Sequence, residues 1–371
     1  MNIVVPKDQL LEGLQRVFNI VPQKPTLPIL SNYLISCVPG AITVSGTDMD
    51  LSVSTTVPCN VDEEGAFTVN AKRFVNIIRE LPDGDVTIDV DGERITIYYA
   101  GGQSRIMGMP SNDFPDVQHK IDGVSVNISG EMFQAMVEKT RFAAATDRTR
   151  LALTGVYWKV APGMMEMVAT DGHRLAFFER SLDIGITEPV EMIVPPKALE
   201  HAVRIFSGGL EIQAVVFGEK AVLFDFGTAS IFSKVIEGPY PNFTQVIPEN
   251  NSKLIVLPTQ EFEAGVRRVS VLSNAITHQI RMNISAGSVE LTTTNADIGG
   301  EAHQNLEIEY DGEPLVVGYN SNFFLEILRK IDTDQVLLEL ESPTTACIAK
   351  PVGMGDEERL LYLIMPLRLN E

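Results

Sequence analysis

The chain has 371 residues, and a polypeptide of this length is expected to form two or three domains rather than one. Its formal net charge of −20 at pH 7 excludes a surface that is basic throughout, so a nucleic-acid-binding role would require concentrated positive charge. Three scattered cysteines, charged residues near the N-terminus and no uncharged apolar stretch of about 18 residues favour a cytoplasmic protein without a disulfide framework, signal peptide or membrane span.

Six segments in chain order share a helix start signal (Pro, Asn or Ser) followed by apolar residues three and four positions apart. The start signals stand at positions 6, 70, 129, 195, 258 and 320, so they are separated by 64, 59, 66, 63 and 62 residues. Such a regular spacing indicates an internal repeat. The predicted helices span residues 7–17, 71–80, 130–141, 197–206, 260–270 and 322–331.

Between these helices the apolar residues alternate with period two. A hairpin is predicted where Val86, Ile88 and Val90 are followed by the turn Asp91-Gly92 and then by a second alternating run. Each unit therefore combines one helix with several antiparallel strands, which is an α+β arrangement.

A second repeat has twice that length. Thr47-Asp48, Thr170-Asp171 and Thr294-Asn295 each follow an apolar strand, and they lie 123 and 124 residues apart. Pro-rich stretches at 109–115 and 238–243 are typical of linkers. We therefore expect three similar domains at residues 1–120, 121–249 and 250–371, each with two helices.

The predicted helices hold 13 of the 29 Lys and Arg residues but only 9 of the 49 Asp and Glu residues. They carry a net charge of +4, whereas the rest of the chain carries −24. Basic residues favour the last turn of any helix, and this preference explains part of the enrichment. A shared positive surface for DNA phosphates explains it as well, and both interpretations stay open at this point.

Geometry adds a condition to the second interpretation. A duplex is roughly 20 Å wide, and a wall of helices packed about 9 Å apart around it would need about twelve helices. One chain supplies six, so helices that line a hole for DNA would require a homodimer, with two-fold symmetry as the default. Such a wall would bind phosphates without reading bases and would allow sliding.

Several motifs along the whole chain resemble those of the bacterial DNA polymerase III sliding clamp family (the beta subunit). They are Pro25–Asn32 (PTLPILSN), Gly46–Asp48 (GTD), Asp113–Pro115 (DFP), Ala169–Leu175 (ATDGHRL) and Met365–Leu369 (MPLRL). The resemblance implies a head-to-tail dimeric ring of six similar domains, with helices inside and antiparallel sheets outside. It implies a non-enzymatic processivity factor that encircles duplex DNA and needs no cofactor or metal.

The resemblance also implies DNA-contacting residues. Lys24, Arg73 and Lys197 match family contacts, and Arg148 lies in a loop before a strand expected at Arg150. With the other helix bases, the candidate DNA-binding set is Lys24, Lys72, Arg73, Lys139, Arg141, Arg148, Lys197, Arg204, Arg267 and Arg268.

For the subunit contact, the matching residues are Ile106, Val271 and Leu272, and simple core burial is the alternative interpretation for them. Expected partners are a second copy of the chain, the replicative polymerase, the clamp loader and other proteins that carry a clamp-binding motif.

A partner pocket between the second and third domains is implied too. It would be an apolar groove with Met and Leu walls and a rim of Arg and His, suited to a short peptide with Gln, Leu and Phe anchors. Ala152 stands where some relatives carry an aromatic ring. The matching residues are Arg150, Leu153, Thr170, Gly172, His173, Arg174, Leu175, Pro241, Val246, Thr345, Leu363, Met365, Pro366 and Leu367.

Two alternative functions stay open beside the one that the resemblance implies. Asp171 and His173 could serve a hydrolase as an orienting acid and a base, although the chain has no nucleophile-elbow, Walker or zinc-binding motif. Asp171 recurs in the repeat as Asp48 and Asn295, which favours a role in turn formation. The acidic charge is also compatible with an interaction scaffold that does not touch DNA.

Overall fold

The computed structural model describes residues 1–369, and all six predicted helices occur in it. They are α1 (Lys7–Phe18), α2 (Ala71–Glu80), α3 (Gly130–Thr140), α4 (Pro196–Ser207), α5 (Thr259–Ser270) and α6 (Ser321–Leu328). Short 3-10 helices occur at Pro28–Ser31, Ser111–Asp113, Arg141–Ala143, Leu151–Thr154 and Phe243–Val246.

Two helices end earlier than the sequence pattern predicts. Beyond α6 the backbone N–H of Lys330 donates to the carbonyl of Ile327, so the last turn tightens to an i→i+3 pattern. Arg329 and Lys330 therefore lie past the end of α6, and Arg141 begins the 3-10 helix after α3.

Strands fill most of the remaining chain. The first ten are β1 (Asn2–Pro6), β2 (Asn32–Val38), β3 (Ala41–Thr47), β4 (Leu51–Pro58), β5 (Asn60–Val61), β6 (Gly65–Asn70), β7 (Asp85–Asp91), β8 (Arg94–Tyr99), β9 (Gly102–Met107) and β10 (Val124–Val126). The others are β11 (Val156–Ala161), β12 (Met164–Thr170), β13 (Arg174–Ser181), β14 (Val190–Val194), β15 (Ala214–Phe217), β16 (Ala221–Asp225), β17 (Ala229–Lys234), β18 (Lys253–Pro258), β19 (Gln279–Ser285), β20 (Ser288–Asn295), β21 (Gly300–Glu307), β22 (Leu315–Asn320), β23 (Gln335–Leu340), β24 (Cys347–Pro351) and β25 (Glu358–Ile364).

The order of elements confirms the sixfold repeat. Each repeat consists of a strand, a helix and three further strands, and the second repeat has the two-residue β5 in addition. The last strands of the six repeats are β4, β9, β13, β17, β21 and β25. The predicted hairpin joins β7 to β8, with Gly92 at a φ of 60° in its turn.

The chain forms two compact units, one of residues 1–133 and 197–235 and the other of residues 134–196 and 236 onward. The first contains an eight-stranded sheet in the order β10-β15-β16-β17-β4-β3-β2-β6 and a five-stranded sheet in the order β5-β1-β7-β8-β9. The second contains an eight-stranded sheet in the order β14-β11-β12-β13-β25-β24-β23-β18 and a four-stranded sheet in the order β21-β20-β19-β22. Every pairing is antiparallel, so the α+β class is confirmed, while the boundaries near 120 and 249 stay a prediction.

The helices bury the apolar faces that the sequence pattern predicts. In α1 the buried residues include Leu10, Gly13 and Leu14, and α1 packs against α2 and against β3 and β4. In α5, Gly265 occupies the position that Gly13 has in α1, three residues after the first buried apolar side chain. A Cβ on Gly13 would lie 2.5 Å from Cγ2 of Val57, whereas one on Gly265 would meet its nearest neighbour at 3.4 Å.

These two glycines allow a matched test of packing. Gly13→Ala should lower the free energy of unfolding by about 1–3 kcal/mol, because the collision with Val57 outweighs the gain in helix propensity. Gly265→Ala should raise the free energy of unfolding by up to about 1 kcal/mol, because it meets only ordinary contacts. Urea denaturation of both variants measures the difference, and a Gly13→Ala protein that gains stability would contradict this account of α1 packing.

Candidate DNA surface, peptide groove and subunit edge

A tight turn recurs after β3, β12 and β20, at the positions of the repeated Thr-Asp and Thr-Asn pairs. Oδ1 of Asp48 accepts a hydrogen bond from the N–H of Leu51 at 2.9 Å, and Oδ1 of Asp171 accepts those of His173 and Arg174 at 2.9 and 3.0 Å. Asn295 has the same role for a following N–H. The repeated residue is thus a turn-former. Nδ1 of His173 lies 4.0 Å from Asp171, too far for the hydrogen bond that the hydrolase reading requires.

Arg174 follows this turn and is the most heavily bonded side chain of the region. Its Nε donates to Oδ2 of Asp171 at 3.1 Å, its Nη2 donates to the carbonyl of Phe142 at 2.9 Å, and its Nη1 pairs with Glu326 of α6. The guanidinium also lies 4.7 Å from the ring centre of Phe323. Arg174 is only 9% exposed, so it is not the rim residue that the sequence led us to expect. It holds three distant segments together.

The structure brings several predicted groove residues together at the ends of β13 and β25. Leu175 and Leu363 are directly opposite each other in the ladder, and Leu175 also pairs with Thr170 of β12. The N–H of Met365 donates to the carbonyl of His173 at 2.8 Å. Met365 itself is 40% exposed, so an apolar floor and an exposed thioether lie side by side.

Residues 240–246, which precede β18, form another wall of the predicted groove. Tyr240 stacks on Tyr157 with ring centres 5.3 Å apart, and Phe243 packs against Phe177. These contacts hold the segment over an apolar cluster that contains Leu175, Leu363 and Ala346, the neighbour of Thr345. Of the predicted groove residues on this segment, Pro241 is exposed and Val246 is 54% exposed.

A cavity of about 520 Å³ is lined by Met365, Pro366 and Leu367 of the predicted groove. Sequence reasoning missed its other walls. The useful signal was Gly318 within the apolar strand β22, because a glycine inside a strand marks a close approach of another backbone. A Cβ there would lie 2.9 Å from the carbonyl of Leu367. The remaining lining residues are Val317, Gly318, Pro343, Thr344, Arg368 and Leu369.

Arg150 precedes a 3-10 helix, so the strand expected there was wrong. The N–H of Leu153 donates to the carbonyl of Arg150 at 3.0 Å, which closes a short turn instead of a ladder. Leu153 is buried and Ala152 is half-buried. The exposed Arg150 side chain reaches the carbonyl of Asp171 at 3.3 Å and passes 3.0 Å from where a Cβ of Gly172 would stand. Gly172 has a φ of +89°, which glycine adopts far more readily than other residues, and a side chain there would also crowd Arg150.

Most of the candidate DNA-binding residues have exposed side chains. Lys139 and Arg141 are half-buried, and Lys139 pairs with Asp332 at 2.9 Å. Lys197 pairs with Asp48, and Arg267 pairs with Glu263 one turn earlier in α5. The exposed members are Lys24, Lys72, Arg73, Arg148, Lys197, Arg204, Arg267 and Arg268.

His201 of α4 adds no positive charge to this set at neutral pH. Burial lowers its pKa to about 4, and the neighbouring charges of Arg204 and Lys197 contribute in the same direction. Asp48 opposes them. The charge of the α4 surface therefore comes from its lysine and arginine residues.

The predicted subunit-contact residues differ in exposure. Ile106 on β9 is buried opposite Ile95 of β8, whereas Val271 is 76% exposed just after α5. Leu272 is half-buried, and it and the exposed Ile298 both approach Gly300 at the start of β21. The exposed Ile276 lies in the loop between α5 and β19. Sequence reasoning missed Ile276 and Ile298, which lie in loops without a periodic pattern.

Comparisons with known proteins cover the full chain. Residues 1–118, 127–242 and 244–368 match the N-terminal, central and C-terminal domains of the DNA polymerase III beta subunit. The chain belongs to this family of sliding clamps. A curated beta sliding clamp of Caulobacter vibrioides is 32% identical and one of Pseudomonas putida 28% identical, each over 100% of both chains. A crystal structure of the Pseudomonas aeruginosa beta subunit superposes with a TM-score of 0.94 at 28% identity, with both chains fully covered.

The sliding-clamp fold accounts for the antiparallel sheets and the three similar domains. Another Pseudomonas aeruginosa sliding clamp, solved bound to griselimycin, superposes on this chain with a TM-score of 0.92 at 29% identity over 100% of both chains. Within residues 1–369, no cluster of metal-binding side chains occurs. In the same part of this clamp, every helix is too short or too polar to cross a membrane.

Arg174 provides a test of the region around the groove. Arg174→Gln should lower the free energy of unfolding by about 2–3 kcal/mol, because it removes charge-assisted hydrogen bonds to Asp171, Glu326 and the carbonyl of Phe142. Arg150→Gln changes the same charge at an exposed position and should cost less than about 1 kcal/mol. Guanidinium denaturation compares the two variants. Equal stability of both would show that the Arg174 contacts do not hold this part of the clamp together.

Proposed function

We propose that this clamp closes with a second copy of itself into a ring around duplex DNA and confers processivity on the replicative polymerase. The observation that carries the proposal is the pairing of last strands between repeats. β4 of the first repeat pairs with β17 of the fourth, and β13 of the third pairs with β25 of the sixth. Of the six last strands, β9 of the second repeat and β21 of the fifth are those with a neighbour on one side only within residues 1–369.

If β9 and β21 also pair with the last strand of another repeat, their partner must come from a second copy of the chain. Pairing β9 with β21 of another copy would complete a third kind of sheet, and two such junctions would close the assembly head to tail. The strands are complementary, because β9 carries Arg105 while β21 carries Glu301 and Glu307. Val271, Ile298 and their neighbours supply exposed apolar area beside β21. An unprotected edge of this length would otherwise invite aggregation.

Within such a ring the six helices of each copy would face the DNA. The bases concentrated on these helices support this, since a chain of net charge −20 places exposed Lys and Arg side chains on α2, α4 and α5. Their contacts would be to phosphates, which makes binding independent of sequence and weaker at high salt. No chemistry is required of Asp171 or His173 in this function, which is non-catalytic.

Ring closure is tested by Val271→Glu combined with Leu272→Glu. The double variant should sediment as a monomer at micromolar concentration, because two charges would replace the apolar side chains that the junction buries. The unchanged chain should sediment at about twice 40.7 kDa. Analytical ultracentrifugation measures this. Ile255→Val, a buried and uncharged change in β18, which belongs to a different sheet from β21, is the control that should leave the dimer intact.

Retention on DNA separates a clamp from a scaffold that does not touch DNA. After loading on a nicked circle by a clamp loader, the dimer should stay bound at high salt and should be lost when the circle is cut. Equal retention on circular and linear DNA would contradict encirclement.

We further propose that the groove at Leu175, Leu363 and Met365 binds a short segment of partner proteins. Its buried leucine floor, the exposed Met365 and Val246, and the cavity of about 520 Å³ beside them suit a few apolar anchors. Methionine is adaptable, which suits a surface shared by several partners, including the polymerase and the clamp loader.

The groove is tested by Met365→Asp. Affinity for a peptide with Gln, Leu and Phe anchors should fall at least about tenfold, because a charge would replace an apolar wall. Leu254→Asp introduces the same charge at an exposed position of β18 and should leave the affinity unchanged. Fluorescence anisotropy measures both. Unchanged affinity of the Met365 variant would remove this groove as the binding site.

A further inference from the structure

A second cavity, of about 660 Å³, opens on the same face of the sheet as the groove residues of β13 and β25. Along β13 the residues Leu175, Phe177 and Glu179 share one face, because alternate residues of a strand point the same way. Phe177 and Glu179 line this cavity, while Leu175 belongs to the groove. Leu175 and Phe177 are members of one apolar cluster, so a continuous apolar layer lies under both sites.

The cavity contains an unusual carboxylate. Glu166 of β12 is 8% exposed, and no hydrogen bond or ion pair to its side chain occurs within residues 1–369. Directly opposite it in the ladder stands Glu179 of β13, which is a like-charge pair. Burial raises the pKa of Glu166, and the charges of Lys159, opposite it on β11, and of Arg359 only partly counter this effect. Buried charges normally have a partner, so this one calls for an explanation.

The other walls complete a site for an amphipathic cation. Phe177, Phe243 and Leu361 supply apolar surface, and the guanidinium carbon of Arg359 lies 5.3 Å from the centre of the Phe177 ring. Four carboxylates and two basic residues line the cavity, and one base, Lys350, is already paired with Glu339 at 2.6 Å. Oδ1 of Asn251, which also lines the cavity, is a buried acceptor with no partner among residues 1–369. This oxygen and an ionised Glu166 can only accept hydrogen bonds, so a ligand that reaches both must donate.

We propose that this cavity binds a lysine or arginine side chain of the same partner segment that occupies the groove, with its charged end on Glu166. The inference rests on the proposed peptide-binding function of the groove. Four residues of β13 separate the level of Leu175 from that of Glu179, which is roughly 13 Å. A few extended residues and one long basic side chain span that distance. The aliphatic stem would pack against the half-buried Phe243, because Arg359 already covers the Phe177 ring. The charge would offset the repulsion between Glu166 and Glu179.

The test uses two peptides with Gln, Leu and Phe anchors, each made with a two-glycine spacer and a lysine at the N-terminal or the C-terminal end. In the matched peptides the lysine is Nε-acetylated, so only the charge differs. Fluorescence anisotropy should show one of the lysine peptides binding roughly threefold to tenfold more tightly than its acetylated form. Glu166→Gln should abolish that difference and leave the affinity of the acetylated peptide unchanged.

Glu188→Gln is the matched control, because it removes one exposed carboxylate of the same unit and should keep the preference for lysine. The thermal midpoint of Glu166→Gln should stay level or rise, since the variant relieves a like-charge pair. A lower midpoint would show that Glu166 is satisfied within the fold and would overturn the proposal. Equal binding of the lysine and acetylated peptides would overturn it as well. Failure of every peptide to bind would instead reject the groove itself.

Discussion

Pairing between the last strands of distant repeats is the interaction on which the rest of this clamp depends. β17 pairs with β4 from Ala229 opposite Thr55, and β13 pairs with β25 from Arg174 opposite Ile364. Each pairing converts two smaller sheets into one of eight strands and hides two edges that would otherwise be open. The helices can then bury one face against the sheets and leave their basic residues in solvent. The groove lies where β13 pairs with β25, and the predicted subunit edge lies at β9 and β21, which are unpaired on one side among the described strands.

Much of this fold was predictable from the sequence. The constant spacing of the helix start signals gave all six helices to within a few residues, because capping residues and three-to-four apolar spacing act locally. The repeat of Thr-Asp and Thr-Asn turns was also visible, and Asp171 forms the turn that its repetition indicated. What could not be predicted was the strand order, because the choice of partner for β4 or β13 depends on residues more than a hundred positions away.

The sites were predictable only in part, and for the same reason. The leucines of the groove were found by resemblance, but Val317 and Gly318 lie on β22, in a different sheet from β13 and β25. They reach the cavity because the N–H of Leu367 donates to the carbonyl of Gly318. Arg174 was expected at the rim through the resemblance, yet its ion pairs with Asp171 and Glu326 and its contacts with two aromatic rings offset the cost of burying it. Nothing in the sequence singled out Glu166, since a glutamate within a strand ordinarily faces solvent. Only the cross-strand register shows that it faces Glu179 in a cavity.

The separation of the paired strands along the chain also sets how the protein can fold. β4 ends at Pro58 and must wait for β17, which begins at Ala229, and β13 must wait for β25, which begins at Glu358. During synthesis at about 5–20 residues per second, each waiting strand stays unpaired for on the order of ten seconds or more. Contacts of such long sequence separation form slowly, because a large loop must close before they can be made. The nascent chain therefore exposes unpaired strand edges over most of its translation. Protection of these edges by chaperones would matter more for this clamp than for a protein whose domains each fold as soon as they are synthesised.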